Sequence, residues 1–209
     1  MSQDKSRLRA EFREEMQEFK RRRIIEEALR LFYERGYDGT SVDALAATIG
    51  VTKPFIYSYF ENKRAILEAV HEQSARRVHG YIASAVNGEG PPAQKLQRFL
   101  RDFTIENIKH QIASGVYLQE EKNLSDDCVT RIRDIERSFN DLLTGLIKQG
   151  CDEGVFRVEE PKLAALSIAG MVRWVHRWYS PTGRFTPEQL ADEISKLGLN
   201  LVGFDPTRH

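Results

Sequence analysis

The sequence predicts an all-α protein of nine helices, with a short helix-turn-helix head followed by a larger helical body. Three observations predict it. Strand signals are almost absent, and apolar residues recur at helical spacing along most of the chain. Glycine and proline punctuate that pattern where helices would end. One early stretch, Gly36 to Lys63, fits two short helices and a glycine turn into 28 residues.

The elements follow in chain order. Residues 1–18 are charged and poorly amphipathic, which suits an N-terminal arm or a frayed helical extension. The first core helix carries Ile24, Ile25, Ala28, Leu29 and Phe32 and ends at Gly36. Thr40 and Ser41 offer side-chain oxygens to cap a second helix. Val42, Leu45 and Ile49 form its buried face, and Gly50 stands where a helix stops and turns. Thr52 caps a third helix of about two turns. Pro54 falls in its first turn, where a missing N–H costs nothing.

A long fourth helix runs from near Asn62 through Ile66, Leu67, Val70 and Val78 towards Val86. The break Asn87-Gly88-Glu89-Gly90-Pro91-Pro92 separates helices rather than domains. Leu96, Phe99, Leu100, Phe103 and Ile108 mark a fifth helix, and Gly115 to Lys122 a short sixth. Ser125-Asp126-Asp127 opens a seventh, with Ile132, Ile135, Phe139, Leu142, Leu143 and Leu146 on its face, ending near Gly150 or Gly154. The eighth opens at Pro161 and runs to Tyr179. After the turn Ser180-Pro181-Thr182-Gly183, Thr186 caps a ninth at Pro187. Its stripe is Leu190, Ile194, Leu197 and Leu201.

Composition narrows the function classes. With 31 basic and 31 acidic residues the formal net charge is zero, so any nucleic-acid face must be local. The one concentrated patch is Lys20-Arg21-Arg22-Arg23. Cys128 and Cys151 suit a reducing, cytoplasmic setting without a disulfide framework. No apolar run reaches membrane-spanning length, and the charged N-terminus gives no expectation of a secretory signal. His71, His79, His110, His176 and His209 lack partners at a metal-ligand spacing. No phosphate loop, nucleophile elbow or zinc-protease motif stands out. The expectation is a protein with no catalytic residues, no metal and no cofactor.

A helix-turn-helix exists mainly to place one helix in the DNA major groove. Gly36-Tyr37, Thr40-Ser41, Gly50-Val51-Thr52, and then Tyr57, Phe60 and Lys63, resemble the DNA-binding signature of the TetR family of one-component transcriptional regulators. The sequence departs from that pattern at two places. Pro54 stands where glycine is usual, and Tyr59 where histidine is usual. The resemblance implies a nine-helix TetR-like fold, with residues 19–65 as the DNA-binding domain and residues 66–209 as a ligand-binding and dimerisation domain.

Within that domain Lys53, Phe55, Tyr57, Ser58 and Tyr59 are the candidates to enter the groove, with Thr52 and Pro54 at the DNA beside them. Lys53 suits guanine O6 and N7, and an aromatic ring suits a thymine methyl. Phe55 and Ile56 have packing as their alternative, because a short helix must bury something. The resemblance places Tyr57 and Tyr59 at the boundary of phosphate and base, and Lys63 on phosphate. Thr40 and Ser41 open the second helix, where a phosphate can meet its N–H groups, and Thr40 can equally be a plain cap. Arg22 and Arg23, in the run from Lys20, can reach an adjacent phosphate or the minor groove, or lie on a solvated face opposite Ile24 and Ile25.

The body carries Met171-Val172-Arg173-Trp174-Val175-His176-Arg177-Trp178-Tyr179. Trp174 and Trp178 share one helix face at i, i+4, with Arg173 and Arg177 on its neighbour. Such aromatics form either core and dimer interface or a pocket wall. Apolar walls with a few basic groups suit an amphiphilic anion such as an acyl-coenzyme A. Residues 178–183 resemble the C-terminal region of TetR-type regulators of fatty-acid and steroid degradation, which respond to coenzyme A thioesters. With Phe103 and Phe139 around the acyl part, this implies a homodimeric repressor on a palindromic double-stranded operator, released by a small-molecule inducer. A sensor of lipophilic drugs controlling efflux is the alternative within the family. An all-helical enzyme or carrier is the alternative outside it.

Overall fold

The computed structural model describes residues 2–207, with side chains at Arg7, Arg9 and from Glu11 onward; His209 lies outside the described residues. Helix α1 (Ser2–Arg35) is continuous, so the expected arm is the front of the first core helix. Its residues 11–19 are exposed on every side, Phe12, Met16 and Phe19 included, in keeping with their weak amphipathicity. Next come α2 (Val42–Ile49), α3 (Lys53–Tyr57) and α4 (Lys63–Asn87). They are followed by α5 (Pro92–Lys109), α6 (Gln111–Gln119) and a 3-10 turn at Glu121–Asn123. The chain closes with α7 (Asp126–Asp152), α8 (Pro161–Arg173), α9 (Val175–Trp178) and α10 (Pro187–Leu201).

Local chemistry explains most of these ends. At α10 the Thr186 hydroxyl accepts the Gln189 N–H at 3.2 Å, and the Gln189 side chain accepts the Thr186 N–H at 2.9 Å. That is a complete capping box. Helix α6 begins at Gln111, earlier than expected, because α5 stops at His110, whose φ of −114° and ψ of 36° leave the helical region.

The eighth helix does not run unbroken to Tyr179. In a continuous helix the Arg173 carbonyl would accept the Arg177 N–H. Instead it meets His176 Nδ1 at 2.7 Å, and the Arg177 N–H donates to Trp174 O at 3.0 Å. The side-chain contact displaces one backbone bond, so α8 and the single turn α9 meet at Trp174. Counted as one broken helix, they complete nine helices among the described residues, with no strand.

The chain divides into two compact units. The first comprises Met1–His71 with Val116–Ser125. Its core is Ile24, Ala28, Leu31, Phe32, Leu45, Ile56, Ile66 and Leu67, joined by Val116. The second comprises Glu72–Gly115 with Asp126–His209. Its core gathers Phe99, Leu100, Phe103, Phe139, Leu143, Ile147, Ile168 and Val172. Helix α10 lies close on α5, where a Cβ at Gly198 would stand 2.4 Å from Leu100 Cδ1. That close approach buries Leu190 and Ile194, while Leu197 and Leu201 remain exposed. The expected open stripe on α10 is therefore only its C-terminal half. Among the described residues no helix is long and apolar enough to cross a membrane.

Candidate functional site

The sequence that folds α2 and α3 also aims their open faces. Ser41, not Thr40, caps α2, its hydroxyl accepting the Ala44 N–H at 3.1 Å. Gly50 turns the chain at φ 78°, a left-handed conformation that side chains resist, and its N–H returns to Ala46 O. Thr52 caps α3 through the Phe55 N–H at 3.4 Å, with Pro54 in the first turn. Helix α3 has five residues, roughly one and a half turns, shorter than expected.

That shortness leaves one anchor. Ile56 is fully buried, which fixes the rotation of α3 and turns Lys53, Pro54, Tyr57 and Ser58 outward. Phe55 and Tyr59 are half-buried, with ring centroids 5.2 Å apart, and Lys20 stands 5.9 Å above the Phe55 ring. Phe55 thus divides itself between packing and exposure. Ser58 Oγ donates to Phe55 O at 2.6 Å and closes the helix. Arg22 and Arg23 are exposed on α1, and Arg23 pairs with Glu26 at 3.2 Å.

Two expected phosphate ligands are held by contacts within the chain. Thr40 is 2% exposed, and its hydroxyl is held against Gly36 O at 2.8 Å and Leu31 O at 3.2 Å. It ties the loop to the end of α1 and has no donor left for DNA. Lys63 Nζ donates to Tyr37 O at 2.7 Å and Thr40 O at 2.9 Å, and lies 4.0 Å above the Tyr37 ring. Two of its three protons therefore fasten the α1–α2 loop. The same loop is held from another side, where the Glu120 carboxylate accepts the Tyr37 N–H at 3.1 Å.

The expected ligand residues are not assembled into one pocket. Phe103 and Phe139 are core residues, their ring centroids 5.6 Å apart beside Phe99. Arg173 pairs with Glu136 at 2.9 Å, its guanidinium 5.4 Å above the Phe139 ring. Trp174 and Trp178 are 57% and 52% exposed, and Arg177 is exposed beside them. The backbone bond lost at Arg173 separates this group into one inward arginine and an outward set.

Among its described residues the second unit holds clefts that periodicity did not reveal, two of them lined partly by α4. One, of about 670 Å³, runs along α7 past Asp134, Arg137, Asp141 and Leu142 to Val86 of α4. The other, of about 360 Å³, lies between α4 and α5, lined by Arg77, Tyr81, Ser84, Arg98 and Asp102. Next to it Glu106 is buried, taking the Tyr81 hydroxyl at 2.8 Å. Its other oxygen stands 3.2 Å from Arg77 Nε and 3.3 Å from His110 Nε2, without a well-aligned hydrogen bond to either. Burial first, then the Arg77 charge, pushes the His110 pKa down. A carboxylate three residues after Phe103, on the apolar stripe of α5, was the available signal for this cluster. Among the described residues no group of three or more His, Cys, Asp or Glu could hold a metal ion.

Two family models match the chain. "Bacterial regulatory proteins, tetR family" matches residues 24–70, and "Tetracyclin repressor-like, C-terminal domain" matches residues 89–202. The HTH-type transcriptional repressor KstR2 of Mycolicibacterium smegmatis is 29% identical over 191 residues, covering 86% of this chain and 89% of that protein. KstR2 of Mycobacterium tuberculosis is 26% identical over 187 residues, covering 86% and 91%. Among solved structures, PfmR from Thermus thermophilus superposes with a TM-score of 0.78 at 28% identity, covering 85% of this chain and 97% of that one. AibR in complex with isovaleryl coenzyme A and operator DNA gives a TM-score of 0.74 at 29% identity, covering 85% and 96%.

Proposed function

The chain belongs to the TetR family of bacterial regulatory proteins, and from that premise we propose that it is a homodimeric operator-binding repressor released by an acyl-coenzyme A thioester. The observation that carries the DNA reading is the anchoring of α3. Buried Ile56 and the Thr52 cap hold a short helix with Lys53, Tyr57 and Ser58 turned outward. Residues 19–65 form the DNA-binding domain, with Ser41 and the α2 N-terminus on phosphate. Arg22 and Arg23 add charge beside it.

Residues 66–209 carry ligand binding and dimerisation, apart from residues 66–71 and Val116–Ser125, which pack in the first unit. Leu163 and Leu166 of α8 and Leu197 and Leu201 of α10 are exposed apolar side chains. Paired with a symmetry mate, they make an isologous four-helix interface. Two copies then present two α3 helices to a palindrome about one DNA turn, roughly 34–36 Å, apart.

The thioester reading rests on the likeness to AibR, crystallised with isovaleryl coenzyme A, and on Arg177 standing exposed beside Trp174 and Trp178. The arginine suits phosphate and the indoles suit an adenine face or acyl chain. Release requires only that the thioester bind the DNA-free conformation better than the operator-bound one.

The test starts from duplexes enriched by the protein from a random-sequence library. Fluorescence anisotropy on an enriched duplex is followed as acyl-coenzyme A compounds of increasing chain length are added, with free coenzyme A as control. Release by a thioester at micromolar concentration, and not by free coenzyme A, is the expected result. Failure of every thioester at about 1 mM would remove this inducer class and leave the operator reading standing. Failure to enrich any sequence would remove the operator reading itself.

A further inference from the structure

The carboxylate of Asp43, in the first turn of α2, accepts a hydrogen bond from Lys53 Nζ at 2.7 Å. Lys53 is the first residue of α3, so this contact joins the opening turns of the two short helices. The two side chains are 67% and 43% exposed, which leaves the pair open to a DNA surface. An acidic side chain is out of place on a face meant for a polyanion. Its location is nonetheless favourable to the fold, since free N–H groups in the first turn of a helix attract a carboxylate.

A lysine at the edge of a recognition helix has four rotatable carbons and a strong pull towards the nearest phosphate. A phosphate contact carries no sequence information, whereas a base-edge contact does. An anion 2.7 Å from Nζ changes that competition. It holds one of the three ammonium protons and repels phosphate oxygens. The remaining protons can still reach an acceptor pair such as guanine O6 and N7.

We propose that Asp43 is a specificity-determining residue of the DNA interface: it positions Lys53 for a base edge and penalises DNA on which Lys53 finds no base partner. This rests on the reading of α2 and α3 as the DNA interface. Asp43 acts through Lys53, so removing its charge strengthens binding to unrelated sequences while the preferred sequence gains little or loses.

The test is a double-mutant cycle of wild type, Asp43→Asn, Lys53→Ala and the double variant. The probes are fluorescein-labelled duplexes, one enriched from a random library by wild type and one scrambled from the same bases. Asp43→Asn is expected to tighten the scrambled duplex several-fold and to lower the preference ratio about tenfold, the discrimination of one base contact. In the Lys53→Ala background the same change should shift both duplexes by one common factor and leave the ratio unmoved. Asp43→Ser, which keeps a small acceptor in the first turn, should repeat the result with a melting temperature lowered by no more than about 4 °C. An equal gain on both duplexes with Lys53 present would overturn the proposal, because Asp43 would then act as bulk charge alone. So would a loss of ratio that persists without Lys53. If wild type enriches no sequence, the interface reading falls and takes this proposal with it. If enrichment succeeds and only the cycle fails, the interface reading stands.

Discussion

Replacing Lys63 by methionine separates an internal clamp from a phosphate ligand. Methionine keeps the length and most of the apolar stem and removes only the charge and its donors. In the folded chain Lys63 Nζ gives hydrogen bonds to Tyr37 O and Thr40 O at 2.7 and 2.9 Å and stands over the Tyr37 ring at 4.0 Å. A hydrogen bond from a charged donor contributes about 1.5–3 kcal/mol, and a cation–π contact at a partly open site about 0.5–1 kcal/mol. The two carbonyls are part-buried, so water recovers some of what is lost when the ammonium goes. The net loss should be roughly 2 kcal/mol, which in a chain of this size lowers the melting temperature by about 4–8 °C. Thermal unfolding measures that directly. A phosphate ligand behaves differently, since its removal would leave stability unchanged and reduce the salt slope of DNA binding by about one. An unaltered melting temperature together with the smaller slope would refute the clamp.

The other expectations follow from the same contacts. Thr40→Val deletes a buried hydroxyl held against two carbonyls and should cost about 1–3 kcal/mol of stability while leaving the salt slope of DNA binding unchanged. Phe139→Ala opens a cavity against Phe99 and Phe103 and should cost about 3–5 kcal/mol in denaturant unfolding, a loss of fold rather than of ligand choice. Arg177→Ala, at an exposed side chain, should raise the thioester concentration for release by about tenfold to a hundredfold, with operator affinity nearly intact in the anisotropy assay. The imidazoles of His71 and His110 have pKa values lowered from 6.5, chiefly by burial, and for His110 also by Arg77. The unfolded chain therefore binds more protons than the folded one below that value. Stability should be fully present above pH 6.5 and fall as the pH drops from there towards the lowered folded values, with His110→Gln flattening part of the decline in a pH series of melting curves.

How legible the chain was depends on the reach of each interaction. The Ser41, Thr52 and Thr186 caps, the Gly50 turn and the proline starts of α5, α8 and α10 involve neighbours a few residues apart. Those contacts exist wherever the local backbone forms, so residue order is enough to read them. The apolar period likewise shows which face of a helix seeks cover. It does not show what covers it. Phe103 and Phe139 met one another in the core, whereas Trp174 and Trp178, equally apolar in the sequence, stayed open. Leu190 and Ile194 were covered by α5, and Leu197 and Leu201 on the same stripe were not.

By itself, then, the sequence determined an all-helical chain with a capped, glycine-turned helix pair and a family signature across it. The tertiary structure decided which partners the signature residues hold within the chain. Lys63 spends two protons on carbonyls 23 and 26 residues away, and Lys53 meets a carboxylate 10 residues back. Glu106 finds Tyr81 and Arg77 on another helix. The physical reason is common to all three. A charged or polar side chain is satisfied by whichever partner the folded chain brings within about 3 Å, and separation along the sequence carries no information about that distance.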